Sequence, residues 1–249
     1  MKSTTNAVKS IGALALVLAM AANLALAGNP NPRVLPPNST PYGMTYGQWS
    51  DAWWEWALSI PADTNPMLDP DGQNGALGQS GSVWFLAGVG FGVGPTVERS
   101  LTVPAGKALC FPLVNYVWVN TPQYGDPEWS PDQEAFARGY IGAAIDTAQD
   151  LTCQVDGREL NNLQAYRCMT PVGGAEMVTL PDGNIFGVEA GTYGPMVTDG
   201  YYLMLAPLSA GSHTIQFTAG LAGTGPPVYP LTIPPSATMH VTYHLTVLK

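Results

Sequence analysis

Basic side chains are the scarcest feature of this sequence: nine Lys and Arg stand against eighteen Asp and Glu in 249 residues, and all charged residues together make up 11%. Arg33, Arg99, Lys107, Arg138, Arg158, Arg167 and Lys249 are scattered, so no basic patch exists to neutralise phosphates or anionic lipids, and nucleic acid is not an expected partner. Three histidines and three cysteines leave little material for metal or nucleophile chemistry. After the N-terminal leader no apolar run reaches the roughly 18 residues of a spanning helix, so no membrane span is expected in the mature form.

The N-terminus reads as an export signal. Lys2 and Lys9 precede an apolar stretch from Ile11 to Leu26, and Ala25-Leu26-Ala27 before Gly28 has the small-x-small form of a cleavage site. The expected organisation is a removed signal peptide, 1–27, and one secreted or periplasmic β-rich domain, 28–249. Removal leaves seven basic against eighteen acidic residues, a formal charge of −11. With 28 glycines, 23 prolines and 46% hydrophobic residues, the composition is that of a turn-rich folded chain rather than a disordered one.

Two helices and many short strands are expected. Thr45 and Gln48 have capping-box spacing at the start of TYGQWSDAWWEWALSIP, and Pro61 stops that helix. Ser130-Pro131-Asp132-Gln133 opens the second, with Phe136, Tyr140, Ala143 and Thr147 recurring at helical spacing. Strands are read near Val83–Val89, Arg99–Val103, Ala108–Val114, Leu151–Val155, Ala165–Met169, Tyr201–Ala206, His213–Ala219 and Thr238–Leu248. The fold class is mainly β, a β-sandwich or jelly roll with two decorating helices.

Cys153 and Cys168 bracket a segment that looks like strands folding back, and they are expected to form a disulfide that export would permit. Cys110, in an apolar run, reads as a buried thiol.

The first helix holds four of the seven tryptophans. Taking Trp49 as origin, Trp53 falls at about 40° and Trp56 at about 340°, a stripe expected in the core. Asp51 and Glu55, at about 200° and 240°, fall opposite, with Trp54 at about 140° as a ring beside an acid. Trp54, Tyr124 and Trp129 are the ligand-binding residues this suggests, since aromatic rings stack on the apolar faces of sugars. Asp51 and Glu55 are the alternative catalytic pair: as neighbours on the helix they could meet the roughly 5–9.5 Å separation a glycan hydrolase requires of its carboxylates, but their shared exposed face offers no apolar pocket to raise one pKa.

Other motifs carry less. His240 and His244 would stand about 13 Å apart on a strand, a polar outer face rather than a zinc site. Asp69, Asp71 and Asn74 could form a calcium site of non-EF type, because alternating oxygen side chains can converge on a hard cation; otherwise no cofactor is implied. The glycines of LAGVGFGVGP do not meet the dinucleotide spacing. Ser80, His213 and Asp199 could be drawn together as a hydrolase triad, although the nucleophile-elbow motif is not there.

Four strings in order, TYGQWSDAWWEWALSIP, GQSGSVWFLAG, RSLTVPAGKALCFPLVN and DGYYLMLAPLSAGSHTIQF, resemble a family of secreted, uncharacterised prokaryotic proteins over about residues 42 to 219. That resemblance implies export and a β-rich fold and assigns no catalytic residue. Function is therefore expected among three classes: a non-catalytic binder of extracellular glycan or surface polymer, a glycan-active hydrolase using a carboxylate pair, or a structural envelope or matrix protein.

Overall fold

The computed structural model describes residues 33–90, 93–222 and 238–249. The leader and its cleavage site lie outside the described residues. Helix α1 is Tyr46–Leu58 and α2 is Pro131–Ile145. The strands are β1 (Val83–Phe85), β2 (Thr96–Val103), β3 (Ala108–Val119), β4 (Ala148–Val155), β5 (Arg158–Glu159), β6 (Arg167–Met169), β7 (Glu176–Leu180), β8 (Gly191–Leu205), β9 (Gly211–Leu221) and β10 (Thr238–Val247). The protein is mainly β, as the sequence indicates, in two five-stranded sheets.

The first sheet runs β1-β3-β8-β6, with β7 also on β8; the second runs β2-β10-β9-β4-β5. Pairing of β1 with β3 and of β2 with β10 is parallel. These parallel pairs make the molecule a mixed-sheet β-sandwich, unlike the wholly antiparallel pattern of a jelly roll. Side chains alternate across each strand. One face of the first sheet presents Phe111 and Leu203 toward the second sheet, where Phe111 meets Phe217 with ring centroids 5.4 Å apart. The opposite face carries Thr198 and Tyr202 and receives α1, with Trp53 6.1 Å from the Tyr202 ring.

Both helix starts follow the sequence. The Thr45 hydroxyl accepts from the Gln48 amide at 3.3 Å while Gln48 Oε1 accepts from the Thr45 amide at 2.9 Å. Ser130 Oγ accepts from the Gln133 amide at 3.2 Å, but the Gln133 side chain turns inward and donates to Asn120 Oδ1 at 3.0 Å.

The seating of α1 keeps part of the expected core stripe and corrects the rest. Trp53 and Trp56 are buried as expected, but Trp49 is only half-buried, and Gly47, Ser50, Asp51, Trp54 and Ala57 are buried with them. Small residues set that contact line: a Cβ on Gly47 would stand 2.2 Å from the Met169 carbonyl oxygen. The helix approaches the sheet along Gly47 and Ser50, and the larger rings splay to either side. The hydrophobic periodicity thus finds Trp53 and Trp56 but misses that the buried face is wide enough to take in Asp51 and Trp54.

The Cys153–Cys168 disulfide is not formed; all three cysteines are free thiols. Cys153 pairs with Phe217 in the second sheet, whereas Cys168 pairs with Gly200 in the first. The chain between them forms the β4–β5 hairpin and then crosses to the other sheet, so the two thiols are separated by the architecture. Cys110 is fully buried as expected, and burial pushes its thiol well above the ordinary range.

Candidate functional site

Strand β3 outlasts its apolar core. Beyond Val114 it continues as Asn115-Tyr116-Val117-Trp118-Val119, with Trp118 opposite Val197 on β8. There α2 covers the sheet: Ala137, Ile141 and Val197 form a small buried cluster, flanked by Tyr116, Trp118, Trp129 and Tyr140. Trp118 meets Phe136 at 5.7 Å and 88° and Tyr140 at 5.4 Å and 65°, while Phe136 and Tyr140 are 6.2 Å apart. Burial, helped by the neighbouring Tyr116 hydroxyl, pushes the Tyr140 phenol up to about 12. Phe136 nevertheless remains 57% exposed. The buried stripe of α2 is Gln133, Ala137, Ile141, Ala144 and Ile145, so the expected Phe136–Tyr140 stripe is its outward aromatic edge.

The loop between β3 and α2 adds Tyr124 and Trp129. Its shape is fixed by Asn120, which is fully buried and donates to the Pro127 carbonyl at 3.1 Å. Asp126 Oδ2 closes the turn by accepting from the Thr121 amide at 2.7 Å and from its hydroxyl at 2.9 Å. Tyr124 stacks on Tyr193 at 6.3 Å with an interplanar angle of 9°, and Tyr193 donates to the Glu189 carbonyl at 2.7 Å. Tyr124 is 56% exposed, and Trp129 is half-buried against the α2 cluster. Two rings, Tyr124 and Phe136, are thus held at the surface by other rings behind them. The sequence singles out Tyr124 and Trp129 as loop aromatics; it gives Phe136 only as part of a helical repeat and does not single out Trp118, which lies half-buried behind it.

Trp54 occupies a different place from the one expected. It is 8% exposed, packs edge-on against Trp53 at 5.1 Å, and its Nε1 is a buried donor without a hydrogen-bond partner among the described residues. The helix rotation that hides Gly47 and Ser50 hides this ring as well, so it is a core residue and offers no exposed platform.

Asp51 is buried by the same rotation. Its Oδ1 accepts from the Thr170 hydroxyl at 2.5 Å and from the Thr198 hydroxyl at 3.0 Å, and Ser50 Oγ lies 2.6 Å from Thr198 Oγ1. Burial, with lesser contributions from Glu55 and Glu176, pushes its carboxyl up to about 6 against the two hydroxyls, which favour the charged form. Glu55 is also raised, by burial first and by Glu176 second. The expectation of an exposed pair with ordinary acidity is thereby corrected. Among the described residues no ion pair includes Asp51, Glu55 or Glu176.

The remaining motifs are dispersed. Asp69 directs its carboxylate at backbone amides: Oδ1 accepts from Asp71 at 3.1 Å and Gly72 at 3.0 Å, and Oδ2 from Asn74 at 2.7 Å. These amides hold the Asp69 carboxyl below its usual range despite partial burial. Asp71 Oδ2 accepts from Gln73 Nε2 at 2.7 Å, so both carboxylates of this loop are engaged within it. Among the described residues no group of three or more His, Cys, Asp or Glu is placed to hold a metal ion. His244 lies 2.7 Å from Glu98 on the outer face of the second sheet. His213 Nδ1 lies 2.8 Å from Asp156, while Asp199 receives Arg167 Nη2 at 2.7 Å in the first sheet, which separates the imagined Ser80, His213 and Asp199 triad.

No family model and no curated protein matches the chain. Among solved structures, the solution structure of Amebosin matches at 12% identity over 63% of this chain and 99% of that one, with a TM-score of 0.14, a likeness that carries no argument about fold or function. No helix among the described residues is long and apolar enough to cross a membrane.

Proposed function

We propose that this protein is a secreted, non-catalytic β-sandwich that binds extracellular glycan or surface polymer through Tyr124, Trp129 and Phe136. The observation that carries this reading is the exposure of Tyr124 and Phe136, each more than half open to solvent and each backed by a second ring. An aromatic ring left in water forgoes roughly 1.5–3 kcal/mol of burial, and a rigid backing lowers the entropy cost of covering it later. Sugar rings offer flat C–H faces that match such rings. Trp54 has no part in this surface. Retention of the mature protein on insoluble polysaccharides tests the reading: Phe136→Ala and Trp129→Ala should release it, and retention unchanged in both would refute it.

A second reading, a glycan hydrolase, draws on one observation. Asp51, raised to about 6, has the acidity of a general acid near neutral pH, and Glu55 follows one turn later. Against it, the Asp51 carboxylate already receives two threonine hydroxyls and is 8% exposed. Reducing-sugar release by the wild type, abolished in Asp51→Asn with the fold intact, would establish this second reading; no release from a panel of glycans argues for binding alone.

A further inference from the structure

Resting on the glycan-binding reading, we infer that the aromatic surface selects a polysaccharide carrying free, protonated amino groups, such as glucosamine units, over N-acetylated or uronic-acid polymers. Glu128 precedes Trp129 directly, and Asp132 lies one helical turn before Phe136 on α2, at the i, i+4 spacing that puts both on one face. Both carboxylates are exposed, and neither has an ion pair or hydrogen bond among the described residues.

The local cation is already occupied. Arg138, the basic residue of α2, holds Glu134 at 2.7 Å and donates to the Thr170 and Pro171 carbonyls at 2.6 and 2.8 Å. Its guanidinium therefore fixes the β6–β7 turn against α2 and is taken from Glu128 and Asp132, which have no side-chain cation as partner among the described residues, Asp132 being balanced in part by the N-terminal end of α2. The surface thus combines electron-rich ring faces with unpaired anions. An ammonium group satisfies both at once, by cation–π attraction to a ring and by charge pairing with a carboxylate. An acetylated amine satisfies neither, and a uronate is repelled by the same carboxylates and by the acidic chain as a whole.

The test is calorimetric titration of the mature protein with glucosamine oligomers, the same oligomers after N-acetylation, a uronate oligomer and oligolysine, at a pH where the amines are protonated. Two exposed pairs with cation–π support correspond to about five- to tenfold tighter binding of the free amine form, with weakening as salt is added. Glu128→Gln with Asp132→Asn should erase the preference yet keep binding of the acetylated form, while Phe136→Ala with Trp129→Ala should lose both. Equal affinity for the two glycan forms, or a preference that survives removal of both carboxylates, overturns the inference and leaves glycan binding standing. Oligolysine binding that matches the glucosamine oligomer and survives the aromatic substitutions also overturns it, as a general attraction for cations. Binding of no oligomer by the wild type defeats the underlying reading itself.

Discussion

Phe136 meets Trp118 edge to face, centroids 5.7 Å apart at 88°, although Phe136 belongs to the outward side of α2 and Trp118 to a strand beneath it. Such a contact orients an exposed ring without burying it. The energetic consequence is separable from the functional one, because an edge-to-face pair contributes about 0.5–1.5 kcal/mol. Phe136→Ala should therefore cost no more than about 1.5 kcal/mol in urea unfolding while losing most polymer retention.

Asp51 makes stability depend on pH with a sign opposite to that of an ordinary paired carboxylate. Its folded carboxyl titrates at about 6 against a usual 3.8, so its favourable neutral form is fully present below about pH 4 and is lost as pH rises to about 6. Wild type should lose on the order of 3 kcal/mol of unfolding free energy across that window relative to Asp51→Asn. The difference between the two proteins isolates this group, since Asp69 and Asp156, both held low, contribute stability that is lost toward acid pH. Denaturation series at several pH values measure it; parallel curves for the two proteins would contradict it.

Gly47 and Gly139 are glycines within helices with opposite prospects. A Cβ at Gly47 would strike the Met169 carbonyl, a backbone atom that cannot give way, whereas nothing lies within 4 Å of a Cβ at Gly139. Gly47→Ala should lower stability by about 1–3 kcal/mol through displacement of α1, and Gly139→Ala should raise it by about 0.5–1 kcal/mol through helix propensity. Thermal melts of the two variants in parallel provide the comparison.

Arg99 is 1% exposed and replaces a counter-anion with carbonyls and a hydroxyl. Its Nε donates to the Asp69 carbonyl, and Nη1 lies 2.8 Å from the Ala87 and Gly88 carbonyls and 2.9 Å from the Tyr243 hydroxyl. Arg99→Lys should destabilise by about 2–4 kcal/mol, because one ammonium cannot span acceptors arranged around a planar fork. Equal stability of Arg99→Lys in chemical denaturation would show that the fork geometry is not needed.

Cys110, Cys153 and Cys168 are free thiols. Protein denatured without reductant and alkylated should gain three adducts by mass spectrometry; a gain of one would restore the disulfide expected from the chain spacing.

The sequence made the local ends of structure legible because those are short-range chemistry. Thr45 with Gln48 and Ser130 with Pro131 identify both helix starts, and alternation in β10 identifies a polar outer face bearing His240 and His244. Long-range choices were not legible. Which side of α1 meets the sheet depends on the Met169 carbonyl opposite Gly47, and no periodicity within the helix encodes that partner. The same rotation moved Trp54 and Asp51 inward. Cys153 and Cys168 misled because spacing along the chain does not reveal a crossing between sheets. At the candidate site, Tyr124 and Trp129 stood out as loop aromatics, but Phe136 needed knowledge that Ala137 and Ile141, the smaller residues, were the ones facing Val197.

Affinity electrophoresis of the wild type without residues 1–27, and of Tyr124→Ala with Phe136→Ala in the same form, through gels containing individual soluble polysaccharides, tests the proposed glycan surface most directly. The wild type should be retarded by at least one polymer, and the double variant, still folded by circular dichroism, should migrate as it does in an empty gel. Retardation that is the same for both proteins, or absent for the wild type in every polymer, would contradict the account.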